Sequence, residues 1–212
     1  MNSAMKAAMR TAAVLAALVL PASAESERPK AFTVISPVFG QLVTFSMPLN
    51  FAVVAEDTRG AHYTREAVPK GETSERWTEM ITITGAKGVS ANPNMTPEKF
   101  AGGMAAGFKR ICPDSFAAKA LGETKFGAAN AFVVVVGCGA VSGHSETALI
   151  AVVRGAADFY TIQWAERGAT VSVPPVEDAR WPQRLRALQP IALCAIVPGE
   201  AAPYPSCLGK KP

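Results

Sequence analysis

Residues that carry chemistry are scarce in this chain. Its 212 residues include two histidines and four cysteines, and only 8% are aromatic. His62 and His144 stand apart and no C-x-x-C pair occurs, so the ligand spacing of a zinc site is missing and no metal is expected. Neither a G-x-x-x-x-G-K-[ST] loop nor a G-x-G-x-x-G turn is present. Such glycines let backbone N–H groups reach a phosphate, so nucleotide binding has no support and no cofactor is expected. Charge of one sign is also thin. The formal net charge is +4, and Lys6 and Arg10 supply two of those charges, leaving +2 scattered over the rest. That excess is too small for a nucleic-acid or anionic-membrane surface. Beyond residue 24, no apolar run reaches the roughly 20 residues of a spanning helix.

The N-terminus reads as an export signal. Lys6 and Arg10 form a basic n-region, "TAAVLAALVL" (Thr11–Leu20) a short apolar h-region, and "PASA" places Ala22 and Ala24 at the small-residue positions of a cleavage site. A signal peptide over 1–24 implies the periplasm. A leader segment follows over 25–40. One domain is expected over 41–193, and a Pro-rich tail over 194–212. All four cysteines lie after the signal, and an even count in an exported chain favours two disulfides. Three pairings are possible. Cys112–Cys138 with Cys194–Cys207 is favoured, because the second bond would close the short loop holding Pro198, Gly199, Pro203 and Pro205, which has little else to order it.

Periodicity supplies the elements. "QLVTFSMP" (Gln41–Pro48) reads as a first strand, and "NFAVVAEDT" with "AHYTREAV", joined by "RG", as a hairpin. One helix is well marked: Thr96 can cap, Pro97 suits the first helical position, Glu98 complements the positive end, and Phe100, Met104 and Phe108 make an apolar stripe. The stripe reads as core. Val133–Val136 is apolar on both faces and should be a central strand. "ETALIAVVRG" and "DFYTIQWAERG" flank "GAAD" as another hairpin, and a last helix is expected over Asp178–Leu188. Short turns make most strand pairings antiparallel, so the class is α+β, with one mid-chain helix and a C-terminal helix.

"RWTEMITITG" (Arg76–Gly85) reads as a strand that would set Trp77, Glu79, Ile81 and Ile83 on one face. Tyr160, Ile162, Trp164 and Glu166 repeat the pattern of an apolar row ending in an acid. A lone buried carboxylate is costly, so Glu79 and Glu166 should sit at a rim or meet a cation, with Arg65, Arg154 and Arg167 as possible partners. Trp77, Glu79, Trp164 and Glu166 are therefore the candidate residues for holding a ligand or partner. "GHSET" puts His144, Ser145 and Glu146 side by side, but a catalytic triad is assembled from separated segments and no G-x-S-x-G elbow is present. Cys138 between Gly137 and Gly139 suits a structural disulfide, with the glycines admitting close approach of a ligand or of the partner cysteine's segment.

The element order, with its "F…P" opening strand, single mid-chain helix, long antiparallel run and final helix, resembles the Mog1/PsbP-like fold over about Gln41–Leu193. "RWTEMITI", "VGCG" and "RGAADFYTIQWAER" are similar to exported proteobacterial proteins with a W-T-E-[ML] strand, matched here by Trp77–Met80, Cys138–Gly139 and Gly155–Gln163. No activity comes with that resemblance. The wider fold implies binding or assembly factors rather than enzymes, although fold alone does not fix function. The expected function is thus a non-enzymatic binding or assembly role with an envelope protein as partner. The alternatives are a carrier of a small apolar ligand between sheet and helix, and a serine hydrolase using Ser145.

Overall fold

A strand that is apolar on both faces must be covered on both, and this requirement organises the molecule. The structure, a computed structural model, describes residues 31–208. The expected signal peptide, the segment 25–30 and the last four residues lie outside the described residues. Ten strands are formed among them: β1 (Ala31–Val38), β2 (Gln41–Pro48), β3 (Phe51–Arg59), β4 (His62–Pro69), β5 (Glu79–Ala86), β6 (Phe116–Phe126), β7 (Ala129–Val141), β8 (His144–Arg154), β9 (Phe159–Gly168) and β10 (Ala192–Ala195). Two α-helices, α1 (Pro97–Ile111) and α2 (Arg180–Leu188), complete the frame. The chain is α+β, and every strand pairing is antiparallel.

The main sheet has seven strands in the order β3-β4-β5-β9-β8-β7-β6. Its central strands alternate side chains between two cores. Val133, Val135, Leu149, Ala151, Tyr160, Ile162 and Trp164 face one core, while Val134, Val136, Ala148, Ile150 and Val152 face the other. A second sheet, β1-β2-β10, and α2 cover the first core. α1 covers the second, with Phe100, Met104 and Phe108 laid against it. Thr96 Oγ1 accepts a hydrogen bond from Lys99 N at 3.2 Å, and Pro97 occupies the first turn, as the sequence indicated.

The disulfides are Cys112–Cys138 and Cys194–Cys207. Cys112 ends α1 and Cys138 lies in β7, so the first bond pins the helix to the sheet beneath it. Gly139 is where close approach is needed. A Cβ there would collide with the Val171 carbonyl, whose own N–H donates to Gly139 O at 2.8 Å. The Ser115 carbonyl accepts from Gly139 N at 2.8 Å, so one neighbour is indeed the segment following the partner cysteine.

The fold departs from expectation at its ends. Ala31–Val38, assigned to a leader, is a strand paired along its whole length with β2. Its buried Ser36 accepts a hydrogen bond from Arg65 Nη1 at 2.9 Å. Residues Ala192–Ala195, which straddle the expected boundary between domain and tail, pair with the other side of β2. The sheet therefore runs past both expected domain limits. No described helix is long and apolar enough to cross a membrane.

Candidate functional site

Two charged groupings lie on opposite faces of the sheet at one end of β5 and β9. On the α2 side, Glu79 and Glu166 stand directly opposite each other across those strands. Like charges in that register repel, and a cation must lie between them for both to remain ionised. Arg184 of α2 provides it. Its Nη2 donates to Glu79 Oε1 at 2.5 Å and its Nε to Glu166 Oε1 at 2.7 Å, while its guanidinium carbon lies 4.5 Å from the centre of the Trp164 ring. Arg180, one turn earlier, donates from Nη1 to Glu166 Oε2 at 2.9 Å and from Nη2 to Asp178 at 2.6 Å. Thus Glu79 does accept a charge-assisted hydrogen bond, but from a helix rather than from a neighbouring strand. Arg65, Arg154 and Arg167 are engaged with Ser36, with the Met95 and Ser90 carbonyls, and with Glu146 respectively. The missed signal was the spacing of Arg180 and Arg184, which sets two cations on one helix face.

This face is a closed core with an ionic rim, not an open cleft. Trp164 is buried against Phe51, edge to face at 5.5 Å, and Glu166 retains only 13% of its side-chain exposure. Between the two sheets, the apolar slot bounded by Val34, Phe45, Met47 and Ile83 measures about 10 Å³. Ligand pockets usually span roughly 300 Å³ or more, so an apolar guest would have to part the sheets.

Burial raises the carboxyl pKa of Glu79 above its ordinary 4.5; Arg184 opposes the rise, while Glu166 and Glu72 add to it. The folded chain therefore binds this proton more tightly than the unfolded chain does. The resulting stabilisation is present below the ordinary value and is lost as pH rises through the folded value. In urea unfolding, the stability of the wild type relative to Glu79→Gln should fall as pH rises above 4.5. A difference that grows as pH rises would contradict the assignment.

Trp77 is not on the Glu79 face. Residues 74–78 bend before β5 begins, so strand alternation does not extend back to Trp77, and the indole joins the core under α1. There it carries Arg167, whose guanidinium carbon lies 3.7 Å from the ring centre. Arg167 Nε donates to Glu146 Oε2 at 3.1 Å, and Nη1 reaches the Glu75 carbonyl at 3.4 Å. His144 Nε2 is 3.7 Å from the same Glu146. Of these, Trp77, Arg167 and His144 line an open cleft of about 450 Å³, with Glu72, Arg76 and Thr78 on the other wall. Both oxygens of Glu72 are taken, by Thr78 N and Thr78 Oγ1, each at 2.7 Å.

Of the four residues singled out from sequence, Glu79, Glu166 and Trp164 belong to the α2 rim and Trp77 floors the cleft on the opposite face. The other cleft residues, Arg76, Arg167, Glu72 and His144, come from the β4–β5 connection and the ends of β8 and β9, which only folding brings together. Within "GHSET", alternation along β8 puts His144 and Glu146 on one face and the buried Ser145 on the other. Among the described residues, no group of three or more potential metal ligands gathers.

No family model matches this chain, and no curated protein matches it. Among solved structures it is similar to the Ran-binding protein Mog1p of Saccharomyces cerevisiae, at 13% identity and a TM-score of 0.47, covering 77% of this chain and 96% of that one. It is also similar to a mutant form of protein Mog1, at 14% identity and a TM-score of 0.44, over 76% of this chain and 86% of that one.

Proposed function

We propose that this chain is an exported, non-enzymatic binding protein of the periplasm that docks on an envelope protein through the cleft above Trp77. The observation that carries the reading is the fixed Arg167, held against Trp77 and braced by Glu146, beside an exposed Arg76. Holding a guanidinium against an indole orders it before any partner arrives, which lowers the entropy cost of recognition. Arginine and tryptophan are enriched among the residues that dominate interfaces. Two disulfides suit an oxidising compartment, and the signal-like residues 1–24 supply a route to it.

The test uses the full chain expressed in a Gram-negative host. Mass spectrometry of the periplasmic fraction should find an N-terminus at Glu25. A photo-crosslinker at the exposed Thr78 should trap one discrete envelope protein, and the yield should fall about tenfold when Arg76→Glu is added. A crosslinker at the exposed Asp57, on edge strand β3, should not trap it. Cytoplasmic retention, or trapping that ignores Arg76, would overturn the reading. An apolar molecule retained in native mass spectrometry would favour a carrier. Labelling by an active-serine probe that Ser145→Ala abolishes would favour a hydrolase.

A further inference from the structure

The hydrogen-bond inventory of the cleft is lopsided. A guanidinium offers five N–H donors in a plane and accepts nothing. Among the described residues the guanidinium of Arg76 has no hydrogen-bond or ion-pair partner, and that of Arg167 uses only Nε and, at long range, Nη1. The carboxylate in the lining is committed, both oxygens of Glu72 accepting from Thr78, while Glu146, outside the lining, accepts from Arg167 through Oε2. Free donors and occupied acceptors call for a ligand that accepts. We infer that this cleft is a carboxylate-binding site, taking the C-terminal carboxylate of a partner polypeptide between Arg76 and Arg167.

The charges around the cleft narrow the class of anion. In the lining, Arg76 and Arg167 are opposed by Glu72 alone, which leaves one positive charge, and Glu146 pairs with Arg167 from outside the lining. A doubly charged phosphate would exceed that single positive charge. A singly charged carboxylate meets less repulsion, and its two coplanar oxygens match the fork of a guanidinium. The Trp77 ring on one side and the Glu146 carboxylate on another hold the Arg167 guanidinium in place. The cleft is open at the end of the sheet, which lets a chain terminus enter without threading. This inference rests on the docking role proposed above and specifies what is docked.

Short peptides test it directly. The probe is an uncharged peptide with an acetylated N-terminus, prepared with a free C-terminal carboxylate, with a C-terminal amide, and as the amide with one internal aspartate; inorganic phosphate is the fourth ligand. Binding is followed through the arginine Nε–H signals in nitrogen-15 NMR spectra. The free carboxylate should shift the Arg167 signal saturably and the plain amide should not. Arg76→Gln, at an exposed position, should weaken binding about tenfold, and Arg167→Lys should do the same although it keeps the charge. The aspartate peptide binding as well as the free terminus would overturn the terminal assignment. Tighter binding of phosphate, equal binding of the amide, or no shift with any carboxylate would overturn the class. If none binds while Arg76→Glu still abolishes crosslinking, the docking role survives and this ligand assignment alone fails.

Discussion

Trp181→Ala should lower the free energy of unfolding by about 4 kcal/mol, within the range seen when a buried tryptophan is truncated. The side chain is fully buried in the core that α2 covers, and its Nε1 donates to the Pro175 carbonyl at 2.7 Å. α2 has little to hold it as an isolated helix. Its N-cap residue is Ala179, which offers no capping side chain, and it is only nine residues long. The helix is therefore kept by docking, through Trp181 and Leu188. Loosening it would also carry Arg180 and Arg184 away from Glu166 and Glu79, leaving two facing carboxylates without their cation. The loss should consequently exceed that of Trp181→Phe, which keeps the aromatic volume. Urea unfolding followed by far-ultraviolet circular dichroism measures both. A cost below about 1 kcal/mol for alanine would mean that α2 is not fastened by this residue.

That dependence explains which parts of the molecule could be read in advance. α1 announces itself locally: Thr96, Pro97, Glu98 and the Phe100–Met104–Phe108 stripe lie within one short segment, and each acts on its own neighbours. The β3–β4 and β8–β9 hairpins are similarly local, turning at Gly60–Ala61, one residue on from the expected "RG", and at "GAAD". The two-faced apolar run of β7 marks a strand covered on both faces, as it is, but not the centre of the sheet: only β6 lies beyond it, and β9 holds the middle place, because cover on both faces depends on α1 and the second sheet rather than on position in the strand order. β1 and β10 are different. Ala31–Val38 contains Pro37 and an irregular apolar pattern, and it becomes a strand because β2 offers it an edge.

The candidate residues divide the same way. Glu79 and Glu166 were recognisable as an anomaly, acids at the ends of apolar rows. The arginines that satisfy them sit on α2, and nothing between Glu79 and Arg184 in the chain encodes that meeting. Trp77 was misplaced by a single local event, the bend over residues 74–78, which interrupts the two-residue period. The cleft was illegible for a further reason. Arg76 and Arg167 look like ordinary surface cations in sequence, and only the ring beneath Arg167 and the isolation of Arg76 distinguish them.

Removing the two disulfides should have unequal effects, although chain entropy alone makes them similar. A loop of 26 residues between Cys112 and Cys138 corresponds to about 3.5 kcal/mol, and one of 13 between Cys194 and Cys207 to about 3 kcal/mol. The difference lies in what each loop holds. Cys112–Cys138 fastens the end of α1, a helix with Gly102, Gly103 and Gly107 in its body, each costing up to about 1 kcal/mol against alanine. α1 covers Val134, Val136, Ile150 and Val152, so releasing it exposes a face of the main sheet. Cys112→Ala with Cys138→Ala should therefore lower global stability by about 3 kcal/mol and raise hydrogen exchange in β7 and β8. Cys194–Cys207 joins β10 to a short 3-10 turn at Pro205–Leu208 with no buried residues. Cys194→Ala with Cys207→Ala should free residues 196–208 locally, shift the global midpoint little, and leave exchange in β7 and β8 unchanged. Equal losses from the two pairs would mean that the tail contributes to the cooperative core, contrary to its exposed packing.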